Sequence, residues 1–373
     1  MDVIRVGIIG TGGISRAHHN AYQKAGGFEI VAVCDILPDK ALQAAQEWNL
    51  PKDCAFTSLD QMLMSVDIDT VSVCTYNQAH KQPTVTALQA GKHVFCEKPM
   101  AATLADATEM VKTAKSSGKI LQIGIHSTFS SDIQFARQLF DNGVLGDIYY
   151  AETTATRRRG IPGHTFIYQK TAGAGAVVDI GIYNLHNALY VMGYPKPIRV
   201  SAITADYIAH QDPRWHEMDV EEFGAAWIRF DNGAVLLFKV SWAVHQNSLG
   251  GSYFLGRDAG ISLIGEWTGG GLVVYADSLT EQIQNLAQAN NYGVETEDGG
   301  KGWFDQEMVD IKFSGLPEVD VWKAQMEAFG QAVRSGSPAP IPPEGVVLTN
   351  VIMDGIFRSQ ACGREVIVEV PDF

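Results

Sequence analysis

Short apolar runs alternate with helix-period segments through the first third of the chain. Val3–Ile9 reads as a strand and Ile14–Lys24 as a helix; Glu29–Cys34 and Asp39–Trp48 repeat the pair. Thr70–Thr75 is a strand, followed by a helix over Lys81–Ala90 that closes at Gly91. His93–Cys96 is a strand, Leu104–Ser116 a helix closing near Gly118, and Ile120–Ile125 a further strand. Strands separated by helices of this length imply parallel βαβ units with right-handed crossovers and helices on both faces. Residues 1–125 are therefore expected to form a doubly wound parallel α/β sheet.

The texture changes after about residue 125. A helix is expected over Asp132–Asn142, ending in Gly143, followed by longer strands over Ile148–Thr156, Ile198–Tyr207, Glu222–Phe230 and Ala234–Val244, and a glycine-punctuated stretch near 250–275. Several alternate apolar and polar residues, as a sheet with one covered face does. The polar segment Glu281–Lys301 reads as a surface excursion, and the last helices are Val321–Ser335 and Val346–Ala361. Residues 126–373 are expected to form an α+β domain with a large, mostly antiparallel sheet.

Composition narrows the function. The formal charge is −14, with 42 acidic against 28 basic residues. An acidic surface repels phosphate backbones and anionic lipid, so neither nucleic acid nor membrane is expected as a partner. No apolar run approaches bilayer-spanning length, and the N-terminus passes straight into a strand-like stretch without a basic leader. Five cysteines, odd in number and never spaced CxxC, read as reduced thiols of a cytoplasmic protein. The histidines show no HExxH-type spacing and no tight Cys/His cluster, so no metal is expected.

Chemistry-bearing residues gather at strand ends. Gly10-Thr11-Gly12-Gly13-Ile14-Ser15 lies between the first strand and the first helix. In a dinucleotide site the first glycine makes the tight turn and the second lets a pyrophosphate reach the backbone at the helix N-terminus. Serine at the third small position is a mild departure. The second strand ends in Asp35, placed to accept hydrogen bonds from a ribose. The plainer alternative is that the glycines only turn the chain and Asp35 caps the next helix. Asp35 would repel a 2′-phosphate, and Ile36 and Leu37 offer no cation to neutralise one, so NAD is expected over NADP. Two more strand ends continue the row: Thr75-Tyr76-Asn77 with His80 opening the next helix, and Glu97-Lys98-Pro99, whose lysine is placed to touch both ribose and substrate. In open α/β sheets ligands sit beyond these carboxyl ends.

Gly10–Ser15, Asp35, Thr75–His80 and Glu97-Lys98-Pro99 together resemble the Gfo/Idh/MocA oxidoreductases. So do Gly143-Val144-Leu145-Gly146, Gly173–Gly181 and Gly193-Tyr194-Pro195, in order along nearly the whole chain. The resemblance implies an N-terminal Rossmann domain and a C-terminal domain whose open sheet carries substrate residues and the contacts of a homodimer or homotetramer. It also implies that the Lys98–Pro99 peptide can be cis.

The segment Asp179–Tyr190 follows a glycine-rich stretch. At 100° per residue Asp179, Tyr183, His186 and Tyr190 fall on one face, and Ile182, Leu185, Leu189 and Met192 on another. The apolar stripe is expected to pack on the domain and the polar one to line a cleft, although an ordinary solvated amphipathic helix would show the same pattern. In the family this helix carries an acid and, four residues on, a proton-transfer residue, which here is Tyr183. His186 stands where many relatives have Asp, and remains a second candidate or a substrate ligand. The expected catalytic set is Lys98, Asp179 and Tyr183, with Lys98 lowering the tyrosine pKa and Asp179 orienting the substrate hydroxyl or Lys98.

Weaker candidates for substrate contact are His126, Arg157, Arg158 and His164. The arginines belong to the run Arg157-Arg158-Arg159, which could equally be a solvated loop. Relatives tend to carry a basic residue two positions after His126, where this chain has Thr128. Trp242 and His245 could stack on a sugar or simply pack. The expected activity is hydride transfer between a nicotinamide cofactor and a secondary hydroxyl of a sugar, cyclitol or sugar derivative. Two rivals stay open on the same fold: a redox-neutral NAD-dependent glycosidase, and a non-catalytic nucleotide-sensing regulator.

Overall fold

The structure, a computed structural model, describes residues 3–264, 271–301 and 307–373. Six parallel strands form the first sheet: β1 (Ile4–Ile9), β2 (Phe28–Cys34), β3 (Ala55–Phe56), β4 (Thr70–Val73), β5 (His93–Glu97) and β6 (Leu121–Gly124), in the order β3-β2-β1-β4-β5-β6. This is the doubly wound order, and the crevice at the switch between β1 and β4 is where such sheets bind ligands. The central strands are buried on both faces, which explains their unbroken apolar runs. The sequence reading passed over β3 and the short Leu59–Ser65 helix; a two-residue strand carries no periodicity to read.

The second sheet has ten strands among the described residues: β7 (Ile148–Thr156), β8 (Pro197–Ala205), β9 (Phe223–Phe230), β10 (Val235–Ser241), β11 (Leu249–Gly256), β12 (Gly260–Ile264), β13 (Leu272–Ala276), β14 (Gly293–Lys301), β15 (Glu307–Ser314) and β16 (Val366–Ile367). Their order is β14-β15-β13-β12-β11-β7-β10-β9-β8-β16, with β7 and β10 parallel and the other paired neighbours antiparallel. The stretch near 250–275 supplies three of these strands, and its residues 265–270 lie outside those described.

Glu281–Lys301 is not the surface excursion its polarity suggested. Glu281–Ala289 is a helix anchored by buried Ile283 and Ala287, and β14 pairs with β15 at the sheet edge. An edge strand exposed on both faces has no apolar alternation to reveal it, and charged residues there discourage edge-to-edge pairing.

The last two helices pack back against the first domain, the second of them against the second sheet as well. Val321–Ser335, capped by Asp320 and ended by left-handed Gly336, packs on the Gly13–Ala25 helix. Its Met326, Phe329 and Ala332 join Val6, Ile8, Tyr22 and Phe95 in one core, with Phe329 edge-on to Phe95 at 5.4 Å. Pro343–Cys362 packs on the Leu104–Ser117 helix, on β8 and on the Gly181–Val191 helix. All five cysteines are free thiols, with Cys34, Cys74 and Cys96 buried. No helix among the described residues is long and apolar enough to cross a membrane. Phe329→Ala, a large-to-small change in this core, is expected to destabilise the protein by about 3–5 kcal/mol in urea unfolding; a loss below ~1 kcal/mol would show that this helix is not part of the folding core.

Candidate active site

The glycine turn has the geometry that a dinucleotide requires. Gly10 adopts φ +81°, and a Cβ there would lie 2.7 Å from the Cys74 carbonyl oxygen, so only glycine fits. A Cβ on Gly12 or Gly13 would meet nothing within 4 Å, which leaves open backbone where a pyrophosphate would approach. Gly12 caps the Gly13–Ala25 helix without a side-chain bond, so the first N–H groups of the helix are not taken by a capping side chain. Asp35 lies at the lip of this turn. Its Oδ2 accepts from the Thr11 amide and hydroxyl, each at 2.9 Å, and its Oδ1 from the Leu37 amide at 3.0 Å. The Thr75 hydroxyl, beside Gly10, is buried without a hydrogen-bond partner. Open N–H groups, a fixed acid and an orphaned hydroxyl at one switch point fit NAD.

Further along the same edge, β5 delivers Glu97 and Lys98, and the Lys98–Pro99 peptide is cis. The Lys98 ammonium donates to Asp179 twice, to Oδ1 at 3.0 Å and to the carbonyl oxygen at 2.8 Å, and lies 5.0 Å from the centroid of the Tyr183 ring. Burial works against the ammonium, Tyr183 and Asp179 work for it, and the balance raises the Lys98 pKa. The three residues expected to act together are brought together. Burial pushes the Tyr183 phenol up, and Lys98 pulls it down as expected without reversing the rise, so its pKa is raised to about 12.

Three aromatic residues complete the cluster. Trp242, fully buried at the end of β10, donates its indole N–H to Asp179 Oδ2 at 3.1 Å. It therefore packs in the core and orients the acid, and does not stack on a ligand. His126 lies between Tyr183 and Trp322, with ring centroids at 4.9 and 4.6 Å. Burial drives its pKa down to about 4, so its ring is neutral at physiological pH, and its Nδ1 is buried with no hydrogen-bond partner.

Behind Lys98, His18 lies with Nε2 2.6 Å from Glu97 Oε1 and Nδ1 2.7 Å from the Ser72 hydroxyl. Burial opposes charging of His18, while Cys74 and Glu97 favour it, and the net is a raised pKa. Burial likewise would raise Glu97, but His18 and Lys98 hold it down, so the two form a buried ion pair. Sequence reasoning missed His18, Trp242 as a partner of Asp179, and Trp322. His18 had a signal, since it shares the inward stripe of its helix with Ser15, Ala21 and Tyr22. Trp322 had none, because it arrives from a helix almost two hundred residues after β6.

Other candidates are placed elsewhere. The polar stripe Asp179–Tyr190 does not form. Asp179 ends one helical turn, Ala176–Asp179, and the next helix, Gly181–Val191, is buried on nearly every side between β7, the Ser131–Asp141 helix and the Pro343–Cys362 helix. His186 donates from Nδ1 to the Thr128 hydroxyl at 3.0 Å and accepts at Nε2 from the Tyr194 hydroxyl at 3.1 Å; burial drives its pKa to about 3. Both ring nitrogens are engaged, which leaves none for a substrate or a proton. His80 is also buried, donating from Nδ1 to the Pro99 carbonyl at 2.7 Å with Nε2 3.2 Å from the Thr75 carbonyl oxygen, and so braces the two strand ends. Asn77 donates to the Ala172 carbonyl at 2.9 Å. Arg157 is half-buried; Arg158, Arg159 and His164 are exposed. The Arg159 guanidinium is tied to the Val244 carbonyl at 3.1 Å, and His164 opens a short 3-10 turn.

Two family descriptions match the chain: "Oxidoreductase family, NAD-binding Rossmann fold" over residues 4–125, and "GFO/IDH/MocA C-terminal domain" over residues 133–266. The chain belongs to the Gfo/Idh/MocA oxidoreductase family. It is 36% identical over 273 residues to D-glucoside 3-dehydrogenase of Escherichia coli K12, covering 70% of this chain and 77% of that protein. It is 32% identical over 161 residues to inositol 2-dehydrogenase of Gluconacetobacter diazotrophicus, covering 43% and 48%. The fold is shared with levoglucosan dehydrogenase in complex with NADH and L-sorbose, at a TM-score of 0.82 and 20% identity over 100% of both chains. It is also shared with aldose–aldose oxidoreductase of Caulobacter crescentus, at 0.77 and 24% over 98% and 99%. The protein is thus an NAD-binding oxidoreductase of this family.

Asp35 is held by Thr11 and Leu37 at the lip of the glycine turn, and Ile36 and Leu37 after it are exposed and uncharged. NAD is expected to bind at least tenfold more tightly than NADP in a fluorescence titration; equal or tighter NADP binding would contradict this reading of the acid.

Proposed function

We propose that the protein is an NAD-dependent dehydrogenase or reductase acting on a secondary hydroxyl of a sugar, cyclitol or sugar derivative. The observation that carries this is the buried cluster of Lys98, Asp179 and Tyr183 on the edge of the sheet that also carries the glycine turn. The relatives support the substrate class by their names, which include a glucoside and an inositol dehydrogenase.

The Gly10–Ile14 turn and Asp35 would hold NAD, whose nicotinamide ring would supply the hydride acceptor. In oxidation the substrate carbon loses a hydride and its hydroxyl a proton. Tyr183 is the residue proposed to take that proton, and to return it to the carbonyl oxygen in reduction. Lys98 places a cation beside the same oxygen and stabilises charge that develops there. Asp179 fixes Lys98, and Trp242 fixes Asp179. The orphaned Nδ1 of His126 gives a second substrate hydroxyl a partner. Arg157, Arg158 and His164 lie on loops of the second sheet and are proposed for outer substrate contacts only.

A phenol protonated up to about pH 12 is a ready acid and a poor base at neutral pH. Turnover in the oxidation direction should therefore rise with pH from 7 to 10, while reduction stays flat over that range. Tyr183→Phe should cut turnover about 10²–10⁴-fold, abolish that rise and leave NAD affinity within twofold. Near-normal turnover in the variant would move the proton to Lys98.

Residues 126–373 are proposed to serve substrate binding and assembly, with the uncovered face of the second sheet as the contact between copies. Tyr253 is 52% exposed, Ile264 53% and Leu255 40% on adjacent strands, an apolar surface that a single copy leaves wet. Light scattering is expected to show a dimer or tetramer that Tyr253→Asp dissociates; a monomeric parent protein would overturn this part.

A further inference from the structure

Glu221, just before β9, buries its carboxylate beneath the glycine-rich turn that leads to Asp179. Both carboxylate oxygens lie 2.9 Å from the Gly175 amide, and Oε1 also accepts from the Val177 amide at 2.9 Å. The Glu221 carbonyl oxygen accepts from the Ala176 amide at 3.0 Å. Three successive backbone N–H groups are thus gripped by one residue, three to five residues before Ile180. The approach is so close that a Cβ on Gly175 would lie 1.9 Å from the Glu221 carbonyl oxygen. The next residue works from the other side: the Glu222 carbonyl oxygen accepts from the Trp242 amide at 2.8 Å, and the Trp242 indole donates to Asp179 Oδ2.

This carboxylate is an expensive way to hold a turn. Its hydrogen-bond donors are all backbone amides, no cation pairs with it among the described residues, and burial drives its pKa up to about 7. An unpaired charge in an apolar setting opposes folding. Structural features that oppose stability are expected at functional sites. A carboxylate offers two oxygens to converging N–H groups, whereas a glutamine of the same shape turns an NH₂ group towards one of them.

We propose that Glu221 is a positioning residue of the hydride-transfer site: by clamping Gly175–Val177 it fixes Asp179, and through Asp179 the Lys98 ammonium. The inference rests on the activity proposed above. It touches neither substrate nor cofactor.

The test is Glu221→Gln in the full-length protein, with Glu221→Asp beside it, read by four measurements. Thermal melting and NAD titration should be unchanged within a few degrees and twofold. Turnover with the parent's best polyol should fall tenfold or more while KM changes less than threefold, and Glu221→Asp, which keeps the charge, should retain more turnover than Glu221→Gln. Backbone amide exchange in the peptide spanning residues 175–183 should accelerate at least tenfold in Glu221→Gln. Parent-like turnover and exchange would overturn the proposal, as would turnover lost only in step with melting temperature and NAD affinity. If Glu221→Gln does not fold, Glu221→Asp carries the same readings: a threefold or greater turnover loss supports the clamp and parent-like turnover refutes it. Faster exchange in a protein whose parent turns over no polyol would leave the clamp standing and remove the proposed reaction instead.

Discussion

The ion pair between Lys98 and Asp179 is the contact on which the site depends. Lys98 leaves the end of β5 in the first sheet; Asp179 ends a turn packed over the second. Both side chains are nearly buried, about a tenth exposed. Removing one partner of a buried pair typically costs about 3–5 kcal/mol, because the other charge is left without compensation. Each partner is therefore supported from behind: Glu97, itself paired with His18, accepts from the Lys98 amide, and Trp242 donates to Asp179. Tyr183 then lies beside the cation because the Gly181–Val191 helix starts two residues after Asp179 and is locked on all sides.

The layout of the first sheet could be read directly from the sequence, since its central strands are buried on both faces and read as unbroken apolar runs. The glycine turn, Asp35 and the Lys98 strand end followed from that layout, because residues at the carboxyl ends of parallel strands share one edge. Readings that rested on helical geometry did less well. The polar stripe from Asp179 to Tyr190 assumed one continuous helix with one wet face. The chain breaks at Ile180, and the helix beyond it is buried, so angular position no longer separates solvent from core. Residues brought in from distant elements were hidden for a different reason. Glu221, Trp242 and Trp322 reach the site through sheet pairing and a returning helix, and no local pattern encodes those long-range contacts.

Thr128 and His186 belong to one neutral hydrogen-bonded cluster. In the structure the Thr128 hydroxyl lies 3.0 Å from His186 Nδ1 and donates to Asn187 at 2.8 Å. The Thr128 hydroxyl and both ring nitrogens of His186 are satisfied within this cluster. His126, by contrast, is stacked between Tyr183 and Trp322 with an Nδ1 that has no hydrogen-bond partner.

The central claim is that Lys98 and Asp179 act as a single unit, and a double-mutant cycle tests it most directly. Single-turnover hydride transfer would be measured at saturating NAD in the parent, Lys98→Met, Asp179→Asn and the double variant. Residues that act as a unit show strongly non-additive losses. The account predicts that each single change slows transfer at least about a hundredfold, and that the double variant is no more than about threefold slower than the worse single. If the double variant loses the product of the two single effects, the residues act independently, and the ion pair is not what organises the site.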